Sequence, residues 1–160
     1  MEHLDTSYPN DKNEFYAIVK EQINAITEDI PHRIANLANI SALLYQAMPD
    51  INWVGFYMMK DNKLVLGPFQ GKVACVEIPV GKGVCGTAVK EKAVQLVPDV
   101  HAFPGHIACD GASRSEIVLP IYKDSKVIAV LDIDSPIPGR FDETDKSGLL
   151  SIISIIENLI

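Results

Sequence analysis

The sequence has no Lys/Arg-rich segment, and its net charge of −7 sets it against nucleic acid, because a phosphate backbone is recognised by clustered cations. It has no long apolar run either. The longest, residues 116–122 and 127–133, are short and interrupted, well below the roughly 20 residues a membrane helix needs. The opening MEHLDTSYPNDKNEF is acidic and polar, unlike a secretory signal, so the expected location is the reducing cytoplasm, where structural disulfides are rare. There are only three cysteines, with no CxxC among them. That argues against a closed disulfide framework and against a thioredoxin-type active site. Close pairs of zinc ligands and EF-hand spacing are also missing, so no metal is expected. What remains is 160 residues, 48% apolar and 22% charged, without repeats or linkers. Such a chain is long enough to bury one core, and a single domain over residues 1–160 is expected.

Apolar spacing predicts a helix over residues 11–27, broken by Pro31, and a second over residues 32–48. The period then switches. Residues 52–59 (NWVGFYMM) and 63–69 form a hairpin about Asp61-Asn62. A short strand at 76–79 leads through a glycine turn into a helix at 84–91, and another short strand follows at 93–97. Residues 98–114 form a long irregular loop, a length usually associated with function. A second hairpin joins 115–121 to 126–133, and Asp142 caps a last helix, with Glu143 and Asp145 suiting its positive end. The expected class is α+β, a central antiparallel sheet with the N- and C-terminal helices packed on one face. This order of elements looks like the GAF small-molecule-binding domain.

Cys85 lies in GKGVCGTAV, where a glycine turn enters a helix. Free N–H groups and positive potential there lower a thiol pKa below its free value of about 8.5. Cys109 lies in FPGHIACDGASRSE, close to His101 and His106 and a little further from Arg114, cationic neighbours that favour a thiolate. Cys75 stands at the entrance to the 76–79 strand. The commonest role of a lone cysteine is a buried small hydrophobe. Two chemical readings compete with it. Zinc held by the cysteines and a histidine lacks the usual ligand spacing. Thiol attack on an oxidised substrate, resolved as a disulfide by a second cysteine, fits widely spaced loop and turn cysteines. His106 has an ordinary alternative as a partner for loop backbone.

Glu116 opens the strand SEIVLPI, and Asp132 and Asp134 lie two apart in LDIDSP, hence on one strand face. A solvated strand end or a cap is the ordinary role for such acids, and it suits Asp134 before Ser135-Pro136. Asp132, between Leu131 and Ile133, needs a partner in a core-facing register. Clustered carboxyls in a pocket keep one partly protonated, able to give a proton to a substrate oxygen. They can instead receive an ammonium group. Trp53 and Tyr57, four apart on a strand, share a face. They are core by default, or in a pocket an apolar wall for a methyl or thioether group.

The segments NWVGFY, KVACVEIPVGKGVCGTA, VPDVHAFPGHIACDGASRSEIVLPI and VLDIDSP with FDETD resemble one family, the free methionine-(R)-sulfoxide reductases, which have the GAF fold. The likeness runs from about Asn52 to Asp145, and its cysteine spacing of ten and twenty-four residues is specific to that family. The resemblance implies that Cys109 is the nucleophile, that Cys85 or Cys75 resolves its sulfenic acid, and that thioredoxin with NADPH restores the thiols without a resident cofactor. It implies that Glu116, Asp132 and Asp134 bind the sulfoxide oxygen and polar groups, that Trp53 and Tyr57 hold the S-methyl end, and that the protein is a cytoplasmic homodimer serving against oxidative stress. The competing class is a non-catalytic GAF module that binds a small ligand, which would have no need of three cysteines so placed.

Overall fold

The computed structural model describes residues 6–107 and 110–160. Asp11 accepts a 3.0 Å hydrogen bond from the Glu14 amide and so caps α1, Lys12–Thr27, satisfying one of the donors a helix start leaves free. The helix ends before Pro31: Glu28 leaves helical geometry and Asp29 turns left-handed at φ 56°. After it comes α2, Arg33–Ala47. The C-terminal helix α4, Glu143–Ile156, starts from a reciprocal capping box between Asp142 and Asp145. Two further elements are short, β3 (Glu77–Pro79) with α3 (Gly83–Glu91), and β4 (Gln95–Val97).

Two hairpins form the centre. Strands β1 (Trp53–Lys60) and β2 (Lys63–Gly71) join through Asp61 and Asn62, at φ 51° and 60°. Strands β5 (Ser115–Lys123) and β6 (Lys126–Ser135) join through Asp124 and Ser125, at φ 50° and 62°. Two successive left-handed residues match the right-handed twist of the paired strands. The sheet order is β3-β2-β1-β6-β5-β4, with every pairing antiparallel. This is the expected α+β arrangement.

Strand alternation gives the sheet two different faces. Val54, Phe56, Ile117, Leu119, Leu131 and Ile133 meet α1, α2 and α4 in the main core. Trp53, Tyr57, Val118 and Val130 point the other way and join Val84, Cys85 and Ala88 of α3 in a second, smaller core. Asp132 stands opposite Gly55 on β1 and Val118 on β5, and Asp134 opposite Trp53 and Glu116. The register therefore carries the acids to the α3 face beside the aromatic pair. β6 also runs two residues past its expected end, to Ser135, so Asp134 belongs to the strand rather than to a solvated strand end. Among the described residues no helix is long and apolar enough to cross a membrane.

Candidate functional site

Between β1, α3 and the loop preceding β5 lies a pocket. Trp53, Tyr57, Val84, Cys85, His106, Ile107, Asp110, Ser113, Glu116, Asp132 and Asp134 line it. Its apolar wall is a stack. The Trp53 ring lies 5.9 Å from Tyr57 at 24° and 5.2 Å from Phe69 at 15°. Gly55, between the two aromatics on β1, makes the stack possible, since a Cβ there would overlap Phe69 Cβ and come 2.8 Å from Trp53 Cη2. Phe69 and Gly55 have no polar chemistry to single them out in the sequence, and their role appears only across the β1–β2 pairing.

Both aromatics are also tied to the segment carrying Cys75. Trp53 Nε1–H donates to the Lys72 carbonyl at 3.0 Å, and the Tyr57 hydroxyl donates to the Cys75 carbonyl at 3.0 Å. Cys75 is disulfide-bonded, whereas Cys85 is a free thiol. Cys109 lies outside the described residues.

Beside the aromatics, on the neighbouring strands of the same sheet face, stand the acids. Glu116 and Asp132 are buried, and Asp134 is partly so. Loss of water is the largest influence on all three, and it pushes each carboxyl above its usual range, because burial penalises the charged form. Asp132 rises only to about 6, since the Glu116 carboxyl and the Cys85 thiol hydrogen-bond to it and favour its anion. Glu116 and Asp134 are raised as well, by burial first and then by the Asp132 charge. Burial and mutual repulsion thus favour proton retention by Glu116 and Asp134 beside the Asp132 charge. Asp132 Oδ1 is buried and has no hydrogen-bond partner among the described residues.

Two polar residues that sequence reasoning passed over shape the rim. Asn52 Nδ2 donates to Asp110 Oδ2 and to Ser113 Oγ, each at 3.1 Å. The Ser113 hydroxyl also bonds Asp134, moderating the rise of its pKa. Both residues sit inside the motifs quoted above, but they carry no chemistry that spacing alone would flag.

Two expectations need correction. Cys85 sits in the first turn of α3, yet its thiol pKa is raised: it is 3% exposed and faces Asp132, Glu116 and Asp134. Desolvation and three acids outweigh the partial charge of one helix end. The expected cationic surroundings of the loop are also absent at His106, where burial, and then His101, lower the imidazole pKa and keep it neutral. His101 and Arg114 are exposed and do not line the pocket. Ligand atoms of Cys85, Glu116 and Asp132 lie within 4.8 Å of one another.

The family model described as GAF domain matches residues 35–160. The chain is 54% identical over 149 residues to the free methionine-R-sulfoxide reductase of Escherichia coli, covering 93% of this chain and 90% of that one. It is similar to the free methionine-R-sulfoxide reductase of Neisseria meningitidis, solved in complex with its substrate, with TM-score 0.95, 43% identity and coverage of 99% and 95%. The fRMsr of Staphylococcus aureus, also solved with substrate, gives TM-score 0.88 at 55% identity, covering 96% of this chain and 100% of that one.

Proposed function

Because the chain belongs to the free methionine-R-sulfoxide reductase family of GAF domains, we propose that it reduces free L-methionine (R)-S-oxide to methionine by cysteine thiol chemistry. The observation that carries this reading is the pairing of one pocket's two walls. An aromatic stack of Trp53 and Tyr57 lies beside a cluster of Glu116, Asp132 and Asp134, whose carboxyls burial pushes above their usual range.

Each wall suits one part of the substrate. The S-methyl group packs on the rings, where apolar area is removed from water. The ammonium group pairs with the Asp132 carboxylate, whose Oδ1 is otherwise unpartnered. A protonated Glu116 or Asp134 donates to the sulfoxide oxygen. A sulfoxide sulfur is chiral, so only one epimer sends its methyl to the rings and its oxygen to the acids together.

The Cys109 thiolate attacks the sulfoxide sulfur, forming an S–S bond as one of the acids protonates the oxygen; that oxygen then passes to Cys109 Sγ as the S–S bond and the bond from oxygen to the methionine sulfur break. Methionine leaves with its sulfur reduced, and Cys109 carries the oxygen as a sulfenic acid. The Cys75 thiol displaces that oxygen as water, leaving a disulfide. The disulfide state of Cys75, against the free and buried Cys85, supports Cys75 as the resolving thiol. A dithiol reductant, thioredoxin recharged by NADPH in the cytoplasm, completes the cycle.

The test is methionine release from each sulfoxide epimer, with dithiothreitol or thioredoxin as reductant. Turnover of the R epimer alone is expected. Release from neither, with thiols verified as reduced, would point instead to a non-catalytic ligand-binding module.

A further inference from the structure

Two of the acids that the proposed reaction uses also meet a buried thiol, Cys85, that it leaves without a role. Cys85 Sγ, a Glu116 oxygen and an Asp132 oxygen lie within 4.8 Å of one another, on three buried residues from three elements. Asp132 Oδ1 is buried, faces the pocket and lacks a partner among the described residues. An unpaired buried carboxylate oxygen is costly, and a cation is its natural complement. Ligands around a tetrahedral zinc stand roughly 3.3–3.8 Å apart for bonds of about 2.0–2.3 Å, so small side-chain rotations draw this set onto one ion. One thiolate with two carboxylates favours a borderline-soft cation over magnesium or calcium, which prefer oxygen alone.

We propose that Cys85, Glu116 and Asp132 bind a single zinc-class divalent cation at the pocket floor, and that the bound cation shuts the sulfoxide out. Binding exchanges protons on these groups for the metal and involves no redox step. Three protein ligands leave a fourth position open towards the pocket. The ion would then be an inhibitor of the reduced enzyme. Its binding follows from the ligand geometry alone, while the exclusion of substrate rests on the reductase reading.

The probe is Co²⁺ added without oxygen to the full-length chain with all thiols reduced. One equivalent should bind, give a thiolate-to-cobalt charge-transfer band, and be displaced by Zn²⁺ but not by Mg²⁺ or Ca²⁺. The Cys75→Ser/Cys109→Ser double variant, left with Cys85 as its sole cysteine, should keep the band. Glu116→Gln should weaken binding by more than the roughly 10–100-fold typical for loss of a merely supporting group. Absence of the band in the double variant overturns the site, and so does its survival in Cys85→Ser. Neither result depends on activity. For exclusion, pre-reduced enzyme freed of added thiol is given sulfoxide with and without Zn²⁺. A methionine burst suppressed by Zn²⁺ and restored by a chelator or by excess sulfoxide is expected. A burst indifferent to saturating Zn²⁺ overturns exclusion. No burst in either case, with the cobalt band present, leaves the metal site standing and counts against the reductase reading instead.

Discussion

The Tyr57 hydroxyl reaches out of the pocket's aromatic wall to hold the carbonyl oxygen of Cys75, 3.0 Å away. One residue thus belongs to two tasks, its ring facing the pocket and its oxygen fixing the backbone at the disulfide-bonded Cys75. The hydroxyl keeps its proton, because burial and then the Asp132 charge raise its pKa, so it remains a donor throughout the physiological range.

Tyr57→Phe separates the two tasks. The ring stays and the hydrogen bond is lost, worth about 0.5–1.5 kcal/mol. The first burst of methionine from pre-reduced enzyme should be unchanged in size, while steady turnover slows roughly 2–10-fold for that energy. Rapid-quench measurement of burst and steady phases checks this; equal slowing of both would mean the hydroxyl acts on the chemical step.

The cysteines should differ in kind. Cys109→Ser should release no methionine. Cys75→Ser should release one equivalent and stall, and mass spectrometry should find no intramolecular disulfide after exposure to substrate. Cys85→Ser should still form that disulfide. A Cys75→Ser enzyme that recycles normally would remove Cys75 from the resolving role.

The buried acids set function against stability. Glu116 has a raised pKa, first through burial and then through Asp132. Between its unfolded and folded values the unfolded chain releases a proton that the folded one keeps, so stability falls as pH rises across that window. Glu116→Gln removes this dependence. Its Tm should exceed that of the parent at pH 7, the gap closing below about pH 4, where both states hold the proton, while reductase activity falls. Thermal melts at both pH values, with parallel assays, decide it.

Asp132→Asn should cost far more activity than Asp124→Asn. Asp132 faces the pocket, whereas Asp124 occupies a left-handed position in the β5–β6 turn that asparagine adopts readily. Equal activities would reduce the carboxylate cluster to a structural feature.

Asp142 tests the frame rather than the site. A hydrogen bond from Lys12 and one from the Asp145 amide lower its pKa to about 2. A depressed acid contributes stability above its unfolded value and loses it as pH falls. Asp142→Ala should therefore destabilise by about 1 kcal/mol at neutral pH as a lost helix cap, with a penalty that shrinks between about pH 4 and 2. Denaturant melts across that range would show it.

The sequence by itself determined the elements and most of the parts of the site. Helical spacing marked α1, a capping aspartate marked the start of α4, and Asp61-Asn62 marked the first hairpin, because these signals are local and depend on a few neighbouring residues. Period-two alternation likewise put Asp132 and Asp134 on one face, and the family motifs named Cys109, Glu116, Trp53 and Tyr57. Only the tertiary structure decided which residues meet. Sheet order places β6 between β1 and β5, so Asp132 lies across from Gly55 and Val118, contacts between residues about 80 apart and 14 apart along the chain. The same packing buries Cys85 against three acids and reverses the shift its helix position predicts. A thiol's reactivity depends on water and charge arriving from distant segments, and these are long-range quantities that local spacing does not encode.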